Sequence, residues 1–260
     1  MSNWFNEQGA MNDSNQFTGY HKCKIKEAEK IVTENGAEGI KLRVAMLDRL
    51  NAEGEPKEIT LETVWLADKN GKKPEADRMS ALFLICGADP KKTKKYKVER
   101  YNFESQQKEI EAVPMYEGLM GKVVGLFIQL KKVFPNKKID PESGVVVNFS
   151  DKGVWIPNYS KERRLSFVFL RAFFADSQKT YSEHKSNNPA KHWLELTDRY
   201  HDYEEKEMDY NSLNKLIKDR AEREGLTFNE SSFSYGNIDY DRDDGTADIP
   251  ANTGDEEIPF

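Results

Sequence analysis

A chain of 260 residues fits one large domain or one domain with appendages, and a hydrophobic share of 37% against 32% charged residues points to a real core with much solvated chain around it. No apolar run approaches the roughly 18 residues that cross a bilayer. The opening M-S-N-W-F-N-E-Q lacks the basic and apolar regions of a secretory signal, and two cysteines, Cys23 and Cys86, supply neither a disulfide framework nor metal-ligand spacing. The expectation is a cytoplasmic protein with no membrane partner and no cofactor.

The net charge of −6 is unevenly spread. Residues 239–260 hold eight acids against Arg242 alone, a net −7, so the other 238 residues carry about +1. Within them, Lys91–Arg100 is +5 and Lys131–Lys138 is +4. Such asymmetry suggests a basic binding surface with an acidic tail.

The first 175 residues read mostly as β-structure. Y-H-K-C-K-I-K places Lys22, Lys24 and Lys26 on one face and Cys23 and Ile25 on the other, and T-E-N-G-A-E-G supplies a turn. In residues 39–50, Ile40, Leu42, Val44 and Met46 alternate with Lys41, Arg43 and Ala45, the period of a half-buried strand. A third strand, E-I-T-L-E-T-V-W-L from Glu58, completes an antiparallel meander. A helix follows, with Pro74 in its first turn and Gly87 as its stop. Residues 121–134 and 144–150 read as further strands, with P-N-K-K-I-D-P-E-S-G as a polar hairpin loop between them. R-L-S-F-V-F-L-R-A-F-F favours a strand through its β-branched and aromatic content. Five main strands with a helix after the third match the layout of an oligonucleotide-binding (OB) fold, a five-stranded Greek-key barrel.

Beyond residue 175 a helical extension runs over 176–233. Asn188 and Pro189 make an N-cap and first helical position, and a second helix puts Leu213, Leu216, Ile217 and Ala221 on one face before Gly225. Residues 234–260, rich in Ser, Asn, Asp, Gly and Pro, have too few large apolar groups to offset their ordering entropy and are expected to be disordered.

Single-stranded nucleic acid needs cations for its phosphates and flat rings for unstacked bases. Both occur in K-K-T-K-K-Y-K-V-E-R-Y-N-F, where Lys92, Lys95 and Lys97 interleave with Tyr96, Tyr101 and Phe103. Lys22, Lys24, Lys41 and Arg43 on the first strands, and Lys131, Lys132, Lys137 and Lys138 from the loop between the last ones, would flank the same groove. Trp65, Trp155 and Tyr159 end strands near turns, where each ring either stacks on a base or covers the core. Catalytic signals are weak. Gly121-Lys122 is not a phosphate-binding loop, since Tyr116 and Val123 stand where glycine and Ser or Thr are required. The acids of H-D-Y-E-E-K-E-M-D, 201–209, read as a solvated linker rather than a metal site. The expectation is a binding protein rather than an enzyme.

The ending D-E-E-I-P-F resembles the C-terminus of bacterial single-stranded DNA-binding proteins, which close on aspartates followed by isoleucine, proline and phenylalanine. The resemblance covers 255–260 closely and 239–260 by composition, and the longer body is more similar in layout to phage-encoded members. It implies a barrel that holds single-stranded DNA without sequence preference during replication, recombination or repair. It further implies that Ile258, Pro259 and Phe260 form a tip that docks on replication and recombination enzymes, with Asp255, Glu256 and Glu257 as its acidic approach. The bacterial tetramer is not implied, because the body differs. Two other readings stay open: an RNA-binding protein of the same barrel type, and an interaction adaptor without nucleic-acid activity.

Overall fold

The computed structural model describes residues 17–33, 36–67, 76–102 and 107–233. Among the described residues strand outweighs helix, 42% against 21%, and the pairing is antiparallel, so this part of the chain is mainly β. The described residues fall into two compact units, 17–130 with 166–203, and 131–165 with 204–233. This differs from the division at 175 read from the sequence, because the chain leaves the first unit after Leu130 and returns to it at Ser166.

The first unit is organised by β1 (Gly19–Val32), which pairs with β2 (Glu38–Leu50) through a turn. There the Thr33 N–H donates to Ala37, and Gly36 takes a φ of +78° that favours glycine. Cys23 and Ile25 of β1 face Ile40, Leu42, Val44 and Met46 of β2 in a fully enclosed core, while the buried His21 ring meets Asp48 and the Phe17 carbonyl. The alternation then slips by one. Ile25 pairs with Val44 but Glu27 with Arg43, leaving Lys26 without a β2 partner as a bulge. After the bulge it is Ala28 that is buried, and Glu27 and Glu29 stand opposite Arg43 and Lys41.

The third strand expected from Glu58 is two short ones, β3 (Pro56–Thr60) and β4 (Val64–Ala67), both paired with β2. Helix α1 (Ala76–Cys86) lays Met79, Leu82 and Phe83 on the core and stops at Gly87, φ +62°. Within the basic stretch, Lys94–Asn102 forms β5, which pairs with β6 (Gln107–Met115) over nine residue pairs. β7 (Val123–Val133) pairs with the first half of β1, whereas β6 joins β1 at Glu29↔Met115. β8 (Asn136–Ile139) and β9 (Val154–Pro157) form a separate pair, and β10 (Arg164–Phe173) lies beside β7. The sheet order is therefore β10-β7-β1-β2-β3. Among the described residues no ladder closes it; one backbone hydrogen bond, Glu62 N–H to the Phe167 carbonyl at 2.9 Å, links the end of β3 to β10.

Short helices α2 (Tyr181–Lys185) and α3 (His192–Arg199) belong to this unit. Asn188 is not the cap of α3, whose N-cap is Lys191 with no side-chain bond. The Glu183 carboxylate takes that role, accepting the N–H groups of Lys191 (2.8 Å) and His192 (3.0 Å) while closing a capping box with Thr180. Burial alone would raise this carboxyl, but those backbone donors and Thr180 outweigh it and bring it down to about 2. Leu196 of α3 joins Phe127, Val168, Leu170 and Phe173 in a second apolar layer, partly covered by Tyr20 and Trp193. β11 (Tyr203–Glu204) pairs with β7.

In the second unit α4 (Tyr210–Glu224) packs Leu213, Ile217 and Ala221 on Ile139, Val154, Ile156 and Phe233. Asp209 caps it through the Ser212 N–H at 2.9 Å, and Gly225 ends it at φ +66°. Two expectations fail here. The supposed loop after Phe134 contains β8, and 144–150 is not a strand: only Val146 makes a bridge, to Ile139, before a turn between Asn148 and Asp151. The backbone of the run meets β8 through this bridge and the Val147 N–H to the Lys138 carbonyl, and Val145 and Val146 are left exposed.

Gly125 of β7 sits beneath Tyr20, whose ring would lie 2.4 Å from an added Cβ. The ring cannot swing aside freely, because its hydroxyl donates to the Ala175 carbonyl at 2.7 Å. Gly125→Ala should therefore destabilise the first unit by about 1–3 kcal/mol. Chemical denaturation measures this, and an unchanged midpoint would contradict the packing.

Candidate nucleic-acid interface

Pairing on the outer face of β1 and β2 decides which of its cations are available. Lys22 meets Asp176 at 2.8 Å. Arg43 reaches Glu27 at 3.2 Å and Glu58 at 2.7 Å, and Lys26 lies 3.4 Å from Glu58. Burial pushes the Lys41 ammonium below its ordinary value, with Glu29 pulling the other way. Lys24 alone among the named cations of this face is exposed and makes no ion pair among the described residues. The bulge causes this, because it brings Glu27 and Glu29 opposite Arg43 and Lys41. A face expected to be basic is largely compensated.

The β5–β6 hairpin differs. Its register sends Lys95 and Lys97 to the same side as Pro114, Ala112 and Ile110, and sends Tyr96 and Arg100 to the other. Lys91, Lys92, Lys95 and Lys97 are exposed and form no ion pair among the described residues. Ile110, opposite Glu99, is 72% exposed. On the other side, Tyr96 donates its hydroxyl to Glu117 at 3.1 Å, and Lys94 lies 3.3 Å from the same carboxylate. Desolvation, then this hydrogen bond, raises the Tyr96 phenol. Tyr96 therefore anchors the hairpin base and is not an open ring. Tyr101 is in β5 opposite Lys108, and Phe103 lies outside the described residues. Arg100 ties the hairpin to β1 through a short ion pair with buried Glu29.

The remaining rings divide by neighbour. Trp65 of β4 covers Gly39: a Cβ there would stand 2.8 Å from the Trp65 ring. In the second unit Tyr159 meets Phe134 edge-on at 4.8 Å, and its hydroxyl accepts the Met208 N–H. Both rings serve packing. Trp155 is half-buried, 5.8 Å from the ring of Phe149, and Lys138 is its cross-strand partner. Lys131 and Lys137 also belong to this unit. Phe149 was missing from the sequence-derived set of ring and cation sites, and only the β8–β9 register sets Lys138, already among the flanking cations, opposite Trp155.

The acids of 201–209 have structural duties. Asp202 accepts the N–H groups of Phe17 and Thr18, Glu205 that of Phe134, and Asp209 caps α4. Among the described residues no group of three or more His, Cys, Asp or Glu side chains is placed to hold a metal ion. No described helix is long and apolar enough to cross a membrane. The tip residues Asp255, Glu256, Glu257, Ile258, Pro259 and Phe260 lie outside the described residues.

Compared with known proteins, the chain matches no protein-family model and no curated sequence.

The Arg100–Glu29 contact fixes how the hairpin is carried. Arg100→Ala leaves a buried carboxylate uncompensated and should cost about 1–3 kcal/mol, less than a wholly buried pair because Arg100 is partly exposed. The double variant Arg100→Met with Glu29→Leu should recover most of that. Urea titrations of the three proteins test the point; a double variant no better than the single would overturn it.

Proposed function

We propose that this chain binds single-stranded DNA without sequence preference and shields it during replication, recombination or repair. The observation that carries the reading is the segregation of charge: cations on the β1–β2 face are mostly paired with acids, whereas Lys91, Lys92, Lys95 and Lys97 stand exposed, with no ion pair among the described residues, on and beside one hairpin. Unpaired lysines lose little when they meet phosphates, and the counterions released from the strand drive binding. The sheet order supports the reading. β1–β2–β3 on one side of β1, β7–β10 on the other and a helix between β3 and β7 are compatible with the layout of an OB barrel, though among the described residues the sheet is open and only the Glu62–Phe167 backbone bond joins its two edges. Bases lie across the strands of such a barrel, and Lys24 and the hairpin lysines would hold the phosphates. The action is binding rather than catalysis, with a phage-encoded replication protein as the setting.

The acidic segment adds a second partner. Asp255, Glu256 and Glu257 would steer toward a basic pocket on a replication or recombination enzyme, and Ile258, Pro259 and Phe260 would anchor there. The same acids would compete with phosphates for the chain's own lysines.

Polarisation titrations with labelled dT oligomers, a duplex competitor and an RNA of matching sequence test the first proposal. Tight binding at low salt is expected, falling steeply as salt rises. Replacing Lys95 and Lys97 by Gln should reduce the logarithmic salt slope by about 1.4, since each phosphate contact on a single strand contributes roughly 0.7. A preference for duplex, or no binding at low salt, would sink the proposal; tighter binding to RNA would move it to the RNA reading.

Removing residues 239–260 should strengthen dT binding at low salt and matter little at high salt, where charges are screened. Equal or weaker binding by the truncated chain would exclude the competition.

A further inference from the structure

Phe149 is 52% exposed, a costly position for a phenylalanine, and it is not left loose. Lys138 donates a hydrogen bond to its carbonyl at 3.0 Å, which pins the backbone of the turn. The Lys138 ammonium stands 5.9 Å from the Phe149 centroid and 5.8 Å from that of Trp155. The two rings are tilted at 56°, so they do not stack on each other. Trp155 is held in turn: it pairs with Lys138 across β8 and β9, and its carbonyl accepts a short hydrogen bond from Arg220 of α4. Gly153 lets the 140–153 segment close down on β8, since a Cβ there would lie 2.5 Å from the Ile139 carbonyl. The result is an uncovered ring beside a fixed cation, on a strand pair clamped by a helix.

Core packing does not account for this. The apolar core of the second unit is built from Ile139, Val154, Ile156, Leu213, Ile217, Ala221 and Phe233, without Phe149. A flat face next to an ammonium with donors to spare suits a ligand that offers a planar ring and an anion together, which each nucleotide of a single strand does.

We infer that Phe149 and Trp155, with Lys138 beside them, form a stacking site for one unstacked base of a single nucleic-acid strand. The site belongs to the second unit and uses different chemistry from the cationic hairpin. The inference rests on the single-strand reading above. Stacking supplies affinity without charge, so removing a ring while Lys138 stays should change binding strength and leave the salt dependence alone.

The test uses the full chain and the labelled dT oligomers. Phe149→Ala should weaken binding about five-fold or more, in line with the loss of one stacked base. Its salt slope and thermal midpoint should match those of the parent, because the ring is exposed. Phe149→Tyr, which keeps the ring, should bind like the parent. Independently of any variant, irradiating the parent protein with oligomers carrying iododeoxyuridine should yield adducts on Phe149 or Trp155 by mass spectrometry. Parent-like affinity of Phe149→Ala, or adducts confined to other segments, would overturn the stacking site while the parent still binds single strands. If the parent binds no single strand, the broader reading fails and this one with it.

Discussion

One extra residue in β1 governs much of this molecule. Without the bulge at Lys26, regular pairing after Ile25↔Val44 would put Lys26 opposite Arg43 and Glu27 opposite the buried Leu42. Like charges would face each other across the ladder, and a carboxylate would enter the core at a cost of several kcal/mol. The bulge absorbs the mismatch. It also lets one strand serve two neighbours, β7 along its first half and β6 at Glu29, and bulges commonly mark such changes of direction.

The electrostatic outcome follows from that register. Glu27 and Glu29 land beside Arg43 and Lys41, and Glu58 of β3 completes the compensation. Ion pairs this exposed add little stability, on the order of 0–1 kcal/mol each. Their larger effect is on availability, since a lysine that already has a carboxylate gains less from a phosphate. Where the sheet gives way to the β5–β6 hairpin, acids become scarce along one side and the lysines there keep their charge uncompensated. The strong tie back to the body, Arg100 to Glu29, uses the opposite side.

Two compact units thus carry two kinds of candidate surface. The first offers charge on a hairpin tied down by a short ion pair. The second offers rings on a two-stranded ribbon clamped by α4, whose apolar face was plain in the spacing of Leu213, Ile217 and Ala221. A strand-coating protein needs both kinds of contact, one indifferent to base identity through phosphate and the other through the shared flatness of bases.

Period-two alternation over residues 39–50 announced β2 and its buried face, and Gly87 and Gly225 marked helix ends, because these depend on local sterics and on side-chain burial along one element. Charge segregation between the body and residues 239–260 is likewise a property of composition. The β5–β6 hairpin was illegible because charged residues occupy both of its faces, which hides the alternation. β8 was illegible because its four residues read as a polar turn. Which lysines are uncompensated, which tryptophan is a cover and which phenylalanine is bare depend on cross-strand register: Lys41 against Glu29, Trp65 against Gly39, Lys138 against Trp155. By itself, then, the sequence determined a β-rich body, its helix ends and an acidic segment apart from basic clusters. Only the tertiary structure decided where positive charge remains uncompensated, since a one-residue slip in one ladder reassigns every partner beyond it.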